Sequence, residues 1–475
     1  MLDRLFRPVD IRSLAAFRIL FGTIMLLAMM RYFAYGWIDV MYTWPQIFFP
    51  YEGFEWVRPW PGVGMQLHYG VLAVLAFCIA AGVAYRASIA LFFVGFTYAH
   101  LIDKTNYLNH YYLVSLIAFL MIFMPLGREW SVDAYRFHSS RVLTAPRWMV
   151  SLLRFQLAVV YVFAGIAKLN ADWLLQAQPL KFWLSAHSDM AILGPLLTSA
   201  LTPYLFSWAG ALFDLTIVFF LLWRRTRFAA YLTVVGFHLV TGFLFPIGLF
   251  PWIMIALTTI FFEPDWPRPI SARFGNDPRI PLGPPLEKGE DRLLGMGSTS
   301  AWMFPRAINP SWTRCVVVAS LCTWILIQLA VPLRFLVRTG DVNWTEDGFR
   351  FAWRVMLIEK RGDAAFEIRD MATGRRTRID PRQYLTPMQV HMMSTQPDMI
   401  LQFAHWLVER ERGAGHEVEV RAQVEASLNG RPHQPLVDPD IDLARIASGT
   451  PAAAWTVPLG SDATRSSDGR IAAAP

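Results

Sequence analysis

Long apolar runs alternate with short polar connections along the first 337 residues of the chain. Most of these runs approach the length of about 20 residues that a helix needs to cross a bilayer. We place nine of them, with approximate limits at 13–33, 68–84, 87–101, 110–126, 150–168, 205–223, 227–245, 247–263 and 313–337. The pattern therefore predicts a polytopic α-helical membrane protein with about nine transmembrane helices.

The pattern changes after about residue 341. The stretch FRFAWRVMLIE alternates between apolar and polar positions, which predicts a strand. Two hairpins are predicted next, AAFEIRD-MATG-RRTRID around a glycine turn and EVEVRAQVEASLNGRPHQPLV around Asn429-Gly430. Between them, residues 386–411 predict a helix interrupted at Gln396-Pro397-Asp398. We expect a small α+β domain here.

These patterns divide the chain into five parts. We expect a membrane domain over 1–263, a linker rich in Pro, Gly and charge over 264–312, a last transmembrane helix over 313–337, an α+β domain over 338–446 and a disordered tail over 447–475.

Composition agrees with a membrane protein. Hydrophobic residues make up 55% of the 475 positions, and charged residues make up 17%, against about 25% in soluble domains. The cysteines Cys78, Cys315 and Cys322 all lie in apolar runs, so no disulfide framework is expected. We expect a multi-pass protein of a bacterial inner membrane.

Lysine and arginine counts give the orientation. One set of connections carries seventeen of these residues, and the alternate set carries only Arg58, Lys104 and Lys181. Because connections rich in Lys and Arg stay in the cytoplasm, we expect a cytoplasmic N-terminus and a periplasmic or lumenal C-terminal domain. The net charge of +7 thus reflects topology. Without a basic stripe, a phosphate loop or metal-type Cys/His spacing, we expect neither nucleic-acid binding nor a metal site.

Polar residues at or inside the apolar segments are the candidates for chemistry. Lys168 ends the fifth segment, and Tyr161 lies two helical turns before it on the same face. Asn109 and His110 open the fourth segment, and His238 lies within the seventh. By the predicted topology, these residues face the non-cytoplasmic side. Together they suggest a pocket at one membrane interface.

Each candidate also has a simpler explanation. Lys168 is compatible with an interfacial anchor whose side chain snorkels to water. Asn109 and His110 are compatible with a helix N-terminus inside a belt of tyrosines. His238 is compatible with a helix–helix contact. The residue types alone do not name a reaction.

Several stretches resemble the vitamin K-dependent γ-glutamyl carboxylase family, the HTTM group. They follow one another in the family's order: DKTNYLNHYYL, WSVDAYR, AGIAKLNADW, FHLVTGFLFPIGLF, EPDWPR and NWTEDGFRFAWRVML. The resemblance covers most of residues 8–446. It implies an enzyme that couples oxygenation of a vitamin K hydroquinone, of the phylloquinol or menaquinol type, to carboxylation of glutamate in a protein or peptide. Dioxygen and carbon dioxide are the co-substrates that it implies.

The resemblance also implies roles for residues. Lys168 matches the family's base and would act as a neutral amine, while Asn109 and His110 match its catalytic Asn-His pair. The quinone pocket would include Tyr161 and Phe250, with His238 nearby. The stretch around Trp353 and Met356 resembles the part that closes the pocket over the hydroquinone and meets the glutamate.

Three other functions stay open at this stage. The chain could oxidise a quinol to its epoxide without carboxylating glutamate. It could be a non-catalytic scaffold that binds quinone or lipid. A transporter is a weaker alternative, because the sequence shows no inverted repeat or paired broken helices.

Overall fold

The computed structural model describes residues 2–267 and 311–460. Each of the nine predicted apolar segments is helical within that range. The helices of the membrane part are α1 (Arg12–Ala34), α2 (Gly64–Ala81), α3 (Tyr85–Leu101), α4 (Asn109–Ile122), α5 (Arg147–Ala167), α6 (Thr202–Leu222), α7 (Arg227–Leu244), α8 (Phe250–Thr258) and α9 (Ser311–Leu333). Most of the linker predicted at 264–312 lies outside the described residues.

Six helices of the described part are long and apolar enough to cross a membrane, namely α1, α2, α5, α6, α7 and α9. The others, α3, α4 and α8, are shorter. The helical membrane part is therefore established, while nine crossings and their orientation stay predictions. A tight turn at Pro246 separates α7 from α8. Gly248 has φ +62° there, which a residue with a Cβ rarely adopts.

Shorter elements connect these helices. Strands β1 (Pro8–Asp10) and β2 (Thr144–Pro146) pair antiparallel beside the starts of α1 and α5. One-turn helices complete the connections at Leu2–Leu5, Val132–Arg136, Ala171–Leu174, Leu180–Ser185, Gly194–Leu197 and Val342–Thr345.

The C-terminal part is an α+β domain, as predicted. Strands β3 (Lys360–Asp370), β4 (Arg376–Ile379), β5 (Val418–Leu428) and β6 (Gln434–Pro435) form an antiparallel sheet in the order β4-β3-β5-β6. Both expected hairpins are present. The expected helix is α10 (Pro387–Met393) followed by α11 (Pro397–Gly413), with the break at the predicted place. The buried residues of α11 recur every three or four positions, because one face of the helix covers the sheet.

The strand predicted for FRFAWRVMLIE is wrong. Residues 346–359, which we name the connecting loop, form turns and irregular backbone, and β3 begins only at Lys360. Phe351, Trp353 and Met356 have φ of 60°, 56° and 48°, far from extended backbone. The alternation arose because side chains of this loop pack in different places: Trp353 stacks on Tyr112, and Met356 lines a cavity.

The packed domain also extends beyond the expected boundary at 446. Trp455 is buried in the domain core, and Thr456 forms a bridge with Val437. Trp344 donates its indole N–H to the carbonyl oxygen of Val457 at 2.7 Å. The composition suggested disorder, but Ala452 and Trp455 join the domain core, and Leu459 packs against it. The rest of the tail lies outside the described residues.

Ion pairs hold the C-terminal domain against the membrane part. Asp398 accepts from Lys104 at 2.6 Å and from Arg350 at 2.8 Å. At a second point, Arg431 donates to both oxygens of Asp172, at 2.6 and 2.7 Å. These contacts fix the connecting loop over the ends of the membrane helices.

Candidate functional site

Lys168 is buried rather than snorkelling to water. It lies at the C-terminal end of α5, with 6% of its surface exposed. Its Nζ donates to Asp214 Oδ2 at 2.8 Å and to the carbonyl oxygen of Ala164 at 3.3 Å. The same nitrogen lies 5.2 Å from the centre of the Trp173 ring. A lysine held by a carboxylate, a carbonyl and a ring face is not a free interfacial anchor.

Asp214, the partner of Lys168, was missed in the sequence analysis. It lies on α6 and is buried, with 6% of its surface exposed. The sequence does mark this residue, because Asp214 is the one acidic residue within the apolar stretch FSWAGALFDLTIVFFLL. An ionisable residue in a membrane segment is a functional candidate by default. The two charges meet across the contact between α5 and α6.

A hydrogen bond joins Tyr161 to His238. Tyr161 lies two helical turns before Lys168 on α5. The hydroxyl of Tyr161 lies 3.2 Å from His238 Nε2 and 3.3 Å from the hydroxyl of Thr258. The other ring nitrogen of His238, Nδ1, is buried and has no hydrogen-bond partner among the described residues. A buried ring nitrogen without a partner is costly, and a bound ligand would satisfy it.

These residues line a first cavity of about 90 Å³. Lys168, Asp214, Tyr161 and His238 supply most of its polar groups, and the rest of the lining is largely apolar and aromatic. Among the rings on its wall are Phe206, Phe237, Phe245 and Phe250, together with the indoles of Trp173 and Trp183. Such a lining suits a flat apolar molecule that carries a few hydrogen-bonding groups.

Asn109 and His110 line a second cavity, of about 360 Å³. Tyr107 donates its hydroxyl to Asn109 Oδ1 at 3.1 Å, and Asn109 Nδ2 lies 3.4 Å from the carbonyl oxygen of Arg354 in the connecting loop. Arg31, near the end of α1, lines this cavity as well. The sequence analysis missed Arg31 because it lay within a predicted span.

One wall separates the two cavities. Both are lined by Ile247, Phe250, Val355 and Met356. The ring of Phe250 lies between two histidines, with its centre 5.8 Å from that of His110 and 5.8 Å from that of His238. The structure thus brings the candidates to two adjoining cavities rather than to one pocket.

Trp353 lies outside the lining of both cavities. It is 1% exposed and stacks on Tyr112, with the ring centres 5.0 Å apart. Its indole nitrogen is buried without a hydrogen-bond partner in the part of the chain that the structure describes. Its position supports the connecting loop. Met356, three residues on, reaches both cavities.

Two protein-family models match this chain, and together they span nearly all of the elements described above. The model of the HTTM domain matches residues 6–266, which include α1 to α8 and the residues of both cavities apart from the connecting loop. The model of the vitamin K-dependent gamma-carboxylase, lumenal domain, matches residues 313–462. No solved structure matches the chain. On these two matches, the chain belongs to the vitamin K-dependent gamma-carboxylase family.

Proposed function

We propose that this protein is an integral membrane γ-glutamyl carboxylase that uses a vitamin K hydroquinone, dioxygen and carbon dioxide. The observation that carries the proposal is the buried Lys168–Asp214 pair in an apolar cavity. That cavity adjoins a second one lined by Asn109 and His110. A scaffold protein has no need of a buried ion pair facing an apolar cavity, because such a pair costs desolvation energy.

The first cavity fits the hydroquinone in chemistry. Aromatic walls match a flat fused ring, and Lys168, Tyr161 and His238 offer groups for its oxygens. In size, about 90 Å³ is less than the roughly 150 Å³ that holds a benzene ring. The ring therefore needs Phe250 or Met356 to turn aside, so that the two cavities join.

Lys168 supplies the base in this proposal. Bound vitamin K hydroquinone supplies, on reaction with dioxygen, the strong base that removes a γ-proton from glutamate. Lys168 Nζ, as a neutral amine, takes the hydroxyl proton that starts this reaction. Asp214, which accepts from Lys168 Nζ at 2.8 Å, then offsets the charge of the ammonium that forms.

The second cavity receives the glutamate side chain. Asn109 and His110 line it and offer hydrogen bonds that orient a carboxylate. The apolar lining that the two cavities share keeps water from a strong base that would otherwise be quenched before it meets the substrate. The C-terminal domain would then lie on the non-cytoplasmic side, where the peptide arrives.

Quinone epoxide formation by the purified protein tests the proposal. The assay contains vitamin K hydroquinone, oxygen, labelled bicarbonate and a short glutamate peptide. We expect epoxide and labelled peptide from the wild type, and a loss of at least about 100-fold in both with Lys168→Ala, the scale of one general base.

A matched control is Lys181→Ala. Lys181 lies outside both cavities and donates to the hydroxyl of Tyr204 at 3.1 Å, so its removal should leave turnover unchanged. Epoxide without labelled peptide would replace the carboxylase with a quinol epoxidase. Folded wild-type protein that forms no epoxide, with several quinols, would contradict the proposal.

A further inference from the structure

The two cavities differ in charge. In the first, Lys168 and Asp214 neutralise each other. In the second, Arg31 is the only lining residue with a permanent charge, among the residues that the structure describes. No carboxylate of the described chain lies within ion-pair distance of it. The second cavity therefore carries a positive charge that no described carboxylate offsets, on a side chain that is half-buried.

Ring faces hold Arg31, and no residue in the described part of the chain accepts a hydrogen bond from its guanidinium. Its guanidinium carbon lies 5.2 Å from the centre of the Trp37 ring and 5.6 Å from that of Tyr35. Its Nη1 lies 3.9 Å from the position that a Cβ on Gly248 would take, so the side chain reaches from α1 to the turn before α8. Contacts with ring faces fix the guanidinium plane and leave its N–H groups free for a planar partner.

A positive charge at this place would favour the proposed reaction. Breaking the Cγ–H bond of glutamate leaves an electron pair on the carbon next to a carboxylate, which adds a second negative charge to one that is already there. A cation against the carboxylate offsets this charge. Addition of the electron pair to carbon dioxide then forms the new carbon–carbon bond and a second carboxylate.

We propose that Arg31 forms a carboxylate-binding subsite in the second cavity, which takes the side-chain carboxylate of the substrate glutamate. The inference rests on the proposed function for its chemical meaning. The ligand expected in the second cavity is therefore an anionic side chain. A guanidinium fork pairs with a carboxylate through two parallel hydrogen bonds, and so it would also orient the γ-carbon toward the wall at Phe250.

Direct binding tests the subsite without turnover. The probes are a blocked tripeptide with a central glutamate and its glutamine counterpart, with the full-length protein in detergent. We expect the wild type to bind the glutamate peptide more tightly. Arg31→Met should weaken that binding about tenfold or more, the size expected for loss of a charge-assisted hydrogen bond, and leave the glutamine peptide unchanged. Arg31→Lys, which keeps the charge, should restore part of the preference.

The control is Arg58→Met, the same change at an exposed arginine outside this cavity, which should keep the wild-type preference. Wild-type protein without a preference for glutamate, or Arg31→Met with an unchanged preference, overturns the subsite. If the wild type prefers glutamate but never carboxylates it, the proposed function fails and the subsite stands.

Discussion

At the scale of single residues, the pairing of Lys168 with Asp214 changes what the lysine can do. Asp214 Oδ2 accepts a hydrogen bond from Lys168 Nζ at 2.8 Å, which fixes the position of the nitrogen in the first cavity. The lysine is therefore oriented by a residue that lines the same cavity.

We expect Asp214→Asn to slow epoxide formation by about tenfold or more, because the proposed base loses the carboxylate that offsets the positive charge it gains in the reaction. Steady-state rates of epoxide formation, with Lys168→Ala measured alongside, check this. A rate equal to that of the wild type would show that Asp214 does not support the base.

His110 is the second test at this scale. We expect His110→Ala to slow carboxylation by about 100-fold or more and to affect peptide-independent epoxide formation much less, because His110 lines only the second cavity. Steady-state rates with and without peptide separate the two steps. Equal losses in both would place His110 in the hydroquinone reaction instead.

The residues that the sequence singled out line the two cavities, except for Trp353. Lys168 and His238 were predictable because polar residues in apolar segments are rare, whereas Phe250 was expected only from the family resemblance. Asp214 was equally conspicuous and was overlooked. The common wall could not be predicted, because it joins the turn before α8 with the connecting loop, about a hundred residues later in the chain.

At the scale of elements, the last membrane helix is attached by buried polar contacts. Gln156 on α5 donates to Gln328 on α9 at 3.1 Å and accepts from Trp324 at 3.0 Å. Both glutamines are almost fully buried, whereas much of the rest of α9 is exposed. Helical periodicity predicts that α9 exists, but only the three-dimensional contacts show which of its positions meets α5.

We expect Gln328→Leu to destabilise the protein by about 1–3 kcal/mol, because it leaves the buried Nε2 of Gln156 without an acceptor. Thermal unfolding in detergent, followed by tryptophan fluorescence, measures this. The double variant Gln156→Leu with Gln328→Leu removes both amides and should recover part of the loss. A double variant that is less stable than the sum of the two single changes would argue against a specific pair.

At the scale of the whole molecule, charged contacts dock the C-terminal domain. Hydrogen bonds from Arg431 lower the pKa of Asp172 below its ordinary value of 3.8. Burial would raise the pKa of Asp398, but Arg350 and Lys104 outweigh burial and hold it well below its usual range. Both carboxylates thus stabilise the docked state above about pH 4, and this contribution is lost as the pH falls toward their lowered pKa values.

We therefore expect the docking to loosen on acidification below pH 4, with faster hydrogen exchange in the connecting loop. Asp172→Asn should show faster exchange already at pH 7, because Arg431 loses its ionic partner, and a smaller change on acidification. Hydrogen exchange with mass spectrometry across pH 3 to 7 checks both. Exchange in the connecting loop that ignores the substitution would show that this contact does not hold the domain in place.

The side chain of Phe250 also has a consequence for how much hydroquinone the proposed reaction would consume. In this structure the ring stands between the two cavities, and in the proposed reaction it turns aside so that they join. A smaller side chain at this position would leave the cavities joined at all times. The hydroquinone could then be oxidised with no glutamate in place, so that more hydroquinone would be consumed for each glutamate carboxylated. Phe250 would thus set the yield of the proposed reaction and not only its rate.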